Sequence, residues 1–189
     1  MMSETFRAFI AIDLPESVRS SLGEAQEVLK LKSFRVKWVR PPSIHLTLKF
    51  LGNIDAADVD KIAGAMALAT KDWHAVSLAA KGIGVFPDIR RPRVIWVGFS
   101  GQLEMLQDLQ RSLDNHLAEL GFPKENRGFK AHLTLGRVKG KINSESLKAA
   151  MSELEGFKSK PFDVKQIILF KSELRQTGAV YTQVREVSL

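Results

Sequence analysis

WVRPPSIHLTLKFLG, residues 38–52, holds at its centre the tetrapeptide HLTL of residues 45–48, and the same four letters return at residues 132–135 within FKAHLTLGRVK, residues 129–139. Side chains alternate faces along a β-strand, so His45 and Thr47 share one face while Ile44, Leu46 and Leu48 share the other. The second copy repeats the arrangement, with His132 and Thr134 on one side and Ala131, Leu133 and Leu135 on the other. Each copy is therefore a polar pair mounted on an apolar anchor. Together they use two of the four histidines in the chain. If the two motif strands sit side by side, two imidazoles and two hydroxyls surround one space.

Outward from the first copy, residues 7–13 (RAFIAID) read as a strand, and Pro15 opens an amphipathic helix with Val18, Leu22, Ala25 and Leu29 on one stripe. Residues 36–39 alternate as a short strand. Gly52 ends the motif strand, Asp55 caps a helix carrying Val59, Ile62, Ala63 and Met66, and residues 75–80 return as a strand. The second half starts with a strand at residues 94–99 (VIWVGF). A helix follows from about Gln102, with Leu103, Leu106, Leu109, Leu113, Leu117 and Leu120 on one side and Gly121 at its end. After the second motif, Asn143 and Ser144 start a helix using Leu147, Ala150, Met151 and Leu154, and strands at residues 164–170 and 180–187 close the chain. Both halves read strand, helix, motif strand, helix, strand. The pattern implies a duplicated architecture, α+β or α/β, with two facing sheets, helices on their outer faces and the motif strands lining a shared cleft. All of residues 1–189 then form a single domain of two pseudo-symmetric lobes, each contributing one His-x-Thr-x strand.

Composition is compatible with this. The 189 residues are 44% hydrophobic, enough for one real core, and 28 basic against 21 acidic residues give a formal charge of +7. That balance favours an anionic partner, nucleic acid or nucleotide ahead of a membrane surface. The absence of cysteine excludes disulfides and Cys-based zinc sites, and residues 1–6 lack the basic start and apolar run of a signal peptide. A reducing cytoplasm suits such a chain.

Paired histidines suit an in-line displacement. One neutral imidazole takes a proton from the nucleophile while a protonated one gives a proton to the leaving oxygen, and histidine alone has an unperturbed pKa close enough to neutrality for both roles. A threonine two residues on can hold the non-bridging oxygens where negative charge persists through the reaction. A phosphodiester is the natural substrate. A single His-x-Thr on a strand is more often a structural pair; the duplication in equivalent slots is what reverses that reading. Metal binding, the main competing use of paired histidines, fails on ligand count, because no carboxylate or third histidine lies near either motif in sequence. His74, in a helix-to-strand turn, and His116, beside the leucine stripe, read as boundary residues. Arg35, Lys37, Trp38 and Arg40 precede the first motif; Arg127, Phe129 and Lys130 precede the second and Arg137 follows it, with Arg90, Arg91 and Arg93 in a further cluster. Such residues hold nucleic acid by phosphate contact and stacking. Lys37 and Lys130 read as solvated rim, Trp38 and Trp96 as core, and Phe9 as either core or platform. Arg137 lies at an odd offset from His132 and could turn inward where the strand leaves its sheet.

These residues resemble the two-histidine (2H) phosphoesterase superfamily, and within it the RNA 2′,3′-cyclic phosphodiesterases, also called 2′-5′ RNA ligases. The likeness spans FIAIDLP (9–15), residues 38–52, RPRVIWVG (91–98), residues 129–139 and the end segment 169–181. It departs at Ala131, where the family often has proline. The resemblance implies a duplicated α+β fold with antiparallel-rich sheets. It makes His45 the proton donor, His132 the proton acceptor, Thr47 and Thr134 the phosphate-binding groups, and Arg137 and Phe9 substrate contacts. It further implies metal- and cofactor-free opening of RNA 2′,3′-cyclic phosphate ends to 2′-phosphates, with reversible 2′-5′ ligation. The expected substrates are RNA ends, tRNA-derived ends among them, or small nucleotides, handled by a monomer without a membrane. The alternatives are a phosphodiesterase for another cyclic or 2′-5′ linked nucleotide, and an RNA- or nucleotide-binding module without turnover.

Overall fold

The computed structural model describes residues 4–125, 128–176 and 178–189. Arg127, one of the basic residues ahead of the second motif, lies outside the described residues. The helices start and stop where local chemistry dictates. Helix α1 (Glu16–Lys30) begins directly behind Pro15 and buries Val18, Leu22, Ala25 and Leu29. Asp55 accepts a hydrogen bond from the Ala57 N–H, and one 3₁₀ turn (Ala56–Asp58) then leads into α2 (Val59–Thr70). The buried stripe of α2 uses Ala65 rather than Ala63. Helix α3 (Leu103–Glu119) ends ahead of Gly121, whose φ of +91° is the left-handed stop that glycine tolerates. Asn143 caps α4 (Ser144–Ser152) by accepting from the N–H groups of Glu145 and Ser146.

The strands are β1 (Thr5–Ile12), β2 (Val36–Trp38), β3 (Leu46–Asp55), β4 (Val76–Phe86), β5 (Val94–Gly101), β6 (Leu133–Val138), β7 (Phe162–Val164), β8 (Gln166–Arg175) and β9 (Gly178–Ser188). They form two sheets, ordered β3-β1-β8-β9 and β2-β6-β5-β4-β7, with every pairing antiparallel. The motif strands β3 and β6 are thus not neighbours; each sheet holds one of them. The halves also exchange strands. The first sheet takes β1 and β3 from the first half with β8 and β9 from the end of the chain, and the second takes β5 and β6 together with β4. The segment expected as one strand at residues 164–170 is two: β7 ends at Val164 in the second sheet, and β8 starts at Gln166 in the first.

One apolar core lies between the sheets and helices. Ala8, Ile10 and Ile12 of β1 belong to it together with Leu46, Leu133, Leu135, Ile167 and Leu169. Phe9, Ala11 and Ile168 are as deeply buried but lie outside that cluster, on the opposite face of the same strands. This opposite face is the cleft side.

Both motif strands are bulged at the same place. On β3, Thr47 stands opposite Ala11 but Lys49 opposite Ile10. On β6, Thr134 stands opposite Trp96 but Gly136 opposite Ile95. The leucine after each threonine is the extra residue, and an extra residue puts the alternation one step out of phase. Lys49 and Gly136 therefore turn to the core, and Phe50 and Arg137, each five residues after its histidine, turn to the cleft. Lys49 is 3% exposed. Its ammonium donates to the Asp114 carboxylate on α3 and, at 2.5 Å, to the Pro123 carbonyl.

Candidate active site

Each motif histidine sits one residue ahead of its strand, and each is held by the same bond. The 3₁₀ turn Pro41–Ser43 delivers the chain to Ile44, which is 2% exposed and anchors the approach. The His45 Nδ1–H then donates to the Ser43 carbonyl at 2.9 Å. In the second copy the His132 Nδ1–H donates to the Lys130 carbonyl at 2.7 Å. A carbonyl oxygen only accepts, so in both rings Nδ1 carries a proton and Nε2 is the nitrogen left for chemistry.

Aromatic rings surround both imidazoles. His45 stacks on Phe9 with centroids 4.7 Å apart and meets the edge of Tyr181 at 5.0 Å. Phe9 in turn stacks on Phe170 at 5.4 Å. This burial pushes the His45 pKa below the usual imidazole value, against the opposing pulls of its bond to Ser43 and the negative charge of Asp13. Asp13 itself is paired with Arg19. His132 meets Phe86 edge-on at 5.1 Å, and Phe86 lies 5.0 Å from Trp96. The Trp96 ring occupies the space a side chain at Gly84 would need: a Cβ there would lie 2.2 Å from the indole.

Register places the phosphate-binding candidates on the cleft side. Thr47 shares a face with Ala11 and Phe9, and Thr134 shares one with Trp96 and Gly84. The bulge in β6 supplies the inward turn of Arg137, which stands opposite Val94 in the row next to Thr134. Its charge acts on Tyr181 of the other sheet: burial pushes that phenol's pKa up, and the guanidiniums of Arg137 and Arg7 partly offset the effect. Arg7 reaches the same region because it is in register with Ser172, which is in register with Tyr181. Lys37 pairs with Arg137 across β2 and β6, and the Lys130 ammonium lies 5.9 Å from the Phe86 centroid. Arg90 and Arg91 lie in a turn fixed by their N–H groups donating to Asp88.

One expectation needs correction. Trp96 is not a core residue: its register with Thr134 puts it on the cleft side, whereas Trp38 packs against the core. Phe9, expected as a substrate contact, is 3% exposed, stacks on His45 and Phe170, and lines the cavity beside His45. Tyr181, Phe86 and Phe50 were missed. Tyr181 is the only tyrosine in the chain, which was the one available signal; its contact with His45 exists only once β9 has folded beside β8. His74 is exposed in the turn between α2 and β4, and His116 lies in the last turn of α3. Among the described residues, no group of three or more His, Asp or Glu side chains is placed to hold a metal ion, and no helix is long and apolar enough to cross a membrane.

Known proteins are similar to this chain in sequence and in fold. The family model described as LigT like Phosphoesterase matches the chain twice, over residues 12–96 and 98–181, one match per motif. An RNA 2′,3′-cyclic phosphodiesterase of Methanothermobacter thermautotrophicus is 36% identical over 178 residues, covering 94% of this chain and 96% of that one. The protein of the same name from Methanocaldococcus jannaschii is 34% identical over 180 residues, covering 95% and 99%. The crystal structure of TT0787 of Thermus thermophilus superposes with a TM-score of 0.77 at 27% identity, covering 97% of each chain.

Proposed function

Because the chain belongs to the LigT-like phosphoesterase family, we propose that it is a cyclic phosphodiesterase that opens the 2′,3′-cyclic phosphate at RNA ends, using His45 as proton donor and His132 as proton acceptor. The observation that carries the reading is the matched pair of Nδ1–H bonds to Ser43 and Lys130, which leaves two equivalent Nε2 atoms, one from each sheet. The names of the relatives support the substrate class.

In the proposed reaction Nε2 of His132 takes a proton from water as the water oxygen attacks phosphorus. The P–O3′ bond breaks on the opposite side, and the Nε2–H of His45 gives its proton to O3′. One water is consumed, and a 2′-phosphate and a 3′-hydroxyl are formed. The Thr47 and Thr134 hydroxyls donate to the non-bridging oxygens, and Arg137 adds positive charge. The burial that lowers the pKa of His45 makes its protonated form the stronger acid toward O3′, while the bound phosphate draws the proton onto the ring. An RNA 5′-hydroxyl in place of water opens the ring by the same displacement and gives ligation through a 2′-5′ bond. The proposal needs no metal. It extends to a monomer working in the cytoplasm, which the cysteine-free sequence suits.

The deciding experiment incubates wild type, His45→Ala and His132→Ala with a short RNA ending in a 2′,3′-cyclic phosphate, in EDTA, and identifies the terminus. Wild type alone should yield the 2′-phosphate, with each variant slower by roughly a hundredfold to ten-thousandfold. A 3′-phosphate product would reverse the leaving-group assignment. Bound but unreacted RNA at every pH would make the protein a binding module.

A further inference from the structure

Two buried glutamines stand in the same slot of the two halves. Gln26 follows Ala25 and precedes Leu29 in the buried stripe of α1, and Gln110 follows Leu109 and precedes Leu113 in that of α3. Gln26 is 1% exposed and Gln110 7%. Each reaches the motif strand of the other half and finds the same atom there. The Gln26 amide nitrogen donates to the Leu135 carbonyl at 2.8 Å, and the Gln110 amide nitrogen donates to the Leu48 carbonyl at 3.5 Å, a looser bond. Leu135 and Leu48 are the extra residues of the two bulges.

The Gln26 amide nitrogen also donates to the Val39 carbonyl at 2.7 Å, just ahead of the 3₁₀ turn that leads to His45. Its own Oε1 is buried without a hydrogen-bond partner. An amide whose oxygen goes unpaired is a costly way to fill a core, so what this one contributes is the direction it fixes for two main-chain carbonyls. Gly136, the residue after the bulge, faces the core so closely that a Cβ would lie 2.5 Å from Val36 and 3.0 Å from Trp38. If the Leu135 carbonyl swung free and the bulge smoothed out, the alternation beyond it would reverse and Arg137 would leave the cleft side.

Resting on the reaction proposed above, we infer that Gln26 is a positioning residue that locks the β6 bulge and thereby keeps Arg137 in the cleft, and that Gln110 locks the β3 bulge beside Thr47 in the same way. The arrangement is crossed: the helix of each half sets the motif strand of the other. Neither glutamine touches the substrate.

The test is a set of double-variant cycles, read as kcat/KM on a short RNA ending in a 2′,3′-cyclic phosphate, together with the salt dependence of RNA binding. Gln26→Met should lower kcat/KM about tenfold, within the range for residues that share one network, and should add no further loss to Arg137→Met. Gln110→Met should multiply the Arg137→Met loss but add none to Thr47→Val. In binding, one lost phosphate contact lowers the slope of log K against log salt by about one. Gln26→Met should lower the slope by that much, as Arg137→Met does, and Gln110→Met should leave it unchanged. Gln26→Asn and Gln110→Asn, whose amides are too short for these bonds, run in the same cycles, and urea midpoints verify that each variant is folded. Losses that multiply between Gln26→Met and Arg137→Met, or an unchanged slope in Gln26→Met, would overturn the inference for Gln26. Losses that multiply between Gln110→Met and Thr47→Val would overturn it for Gln110. If wild type binds the RNA without turnover, the proposed reaction fails and the slopes still decide Gln26; if it turns over and every loss multiplies, the reaction stands and the inference fails.

Discussion

Replacing Lys49 by methionine tests how the two halves are joined. The ammonium is almost sealed from solvent, its side chain 2% exposed and that of Asp114 11% exposed. It also serves the Pro123 carbonyl, and the second Asp114 oxygen accepts from the Glu125 N–H, so one charge pair ties β3 to α3 and to the segment running toward the second motif. Methionine matches the length of lysine but strands a buried carboxylate, and breaking one side of a buried pair costs roughly 3–5 kcal/mol. Against a typical total of about 5–15 kcal/mol this is a large fraction. With a urea slope of roughly 2 kcal/mol/M, the unfolding midpoint should fall by about 1.5–2.5 M. Adding Asp114→Leu should recover part of the loss, because an apolar pair leaves no unpaired charge. Midpoints for wild type, both single variants and the double variant give the coupling between the two positions. A double variant whose loss equals the sum of the single losses would refute the reasoning.

Phe9→Leu should uncover His45 and raise its pKa toward the ordinary imidazole value, which an NMR titration of the His45 ring protons would follow; no upward movement would mean that the aromatic packing is not the cause. The same depression makes a stability prediction. The unfolded chain takes up this proton before the folded one does, so His45 lowers stability as pH falls below about 6.5 and has no such effect at higher pH. His45→Gln should remove that component from the pH dependence of chemical unfolding. Gly84→Ala drives a methyl into the Trp96 indole and should cost about 1–3 kcal/mol while displacing the ring opposite Thr134, read as a lower melting temperature with altered tryptophan fluorescence. Arg137→Met should weaken RNA binding uniformly across sequences and lower the slope of log K against log salt by about one; an unchanged slope would remove Arg137 from the phosphate contacts.

Local chemistry made much of the fold legible. Pro15, Asp55, Gly121 and Asn143 marked helix ends because each acts through its own backbone or side chain. The duplicated His-x-Thr pair stood out because the anchor leucines share its two-residue period. The bulges stayed hidden, since an extra residue is defined only against the partner strand, and simple alternation beyond the motif puts Lys49 beside Thr47 where the structure puts Phe50. Trp96 was misread for the same kind of reason: its hydrophobicity suits a core, and only its register with Thr134 turns it to the cleft. The division between β7 and β8 at Lys165 likewise depends on two sheets meeting there, which no local signal records.

The exchange of strands between the halves bears on when the protein can first act. Tyr181, which closes over His45, follows that histidine by 136 residues, and both the β1–β8 and the β8–β9 pairings are needed to bring the phenol into place. Contacts so far apart in sequence form slowly. During synthesis His45 therefore emerges well before its neighbours and stays uncovered, and its site is assembled only after β9 has left the ribosome, so a chain interrupted before β9 carries the first motif without the surroundings that tune it.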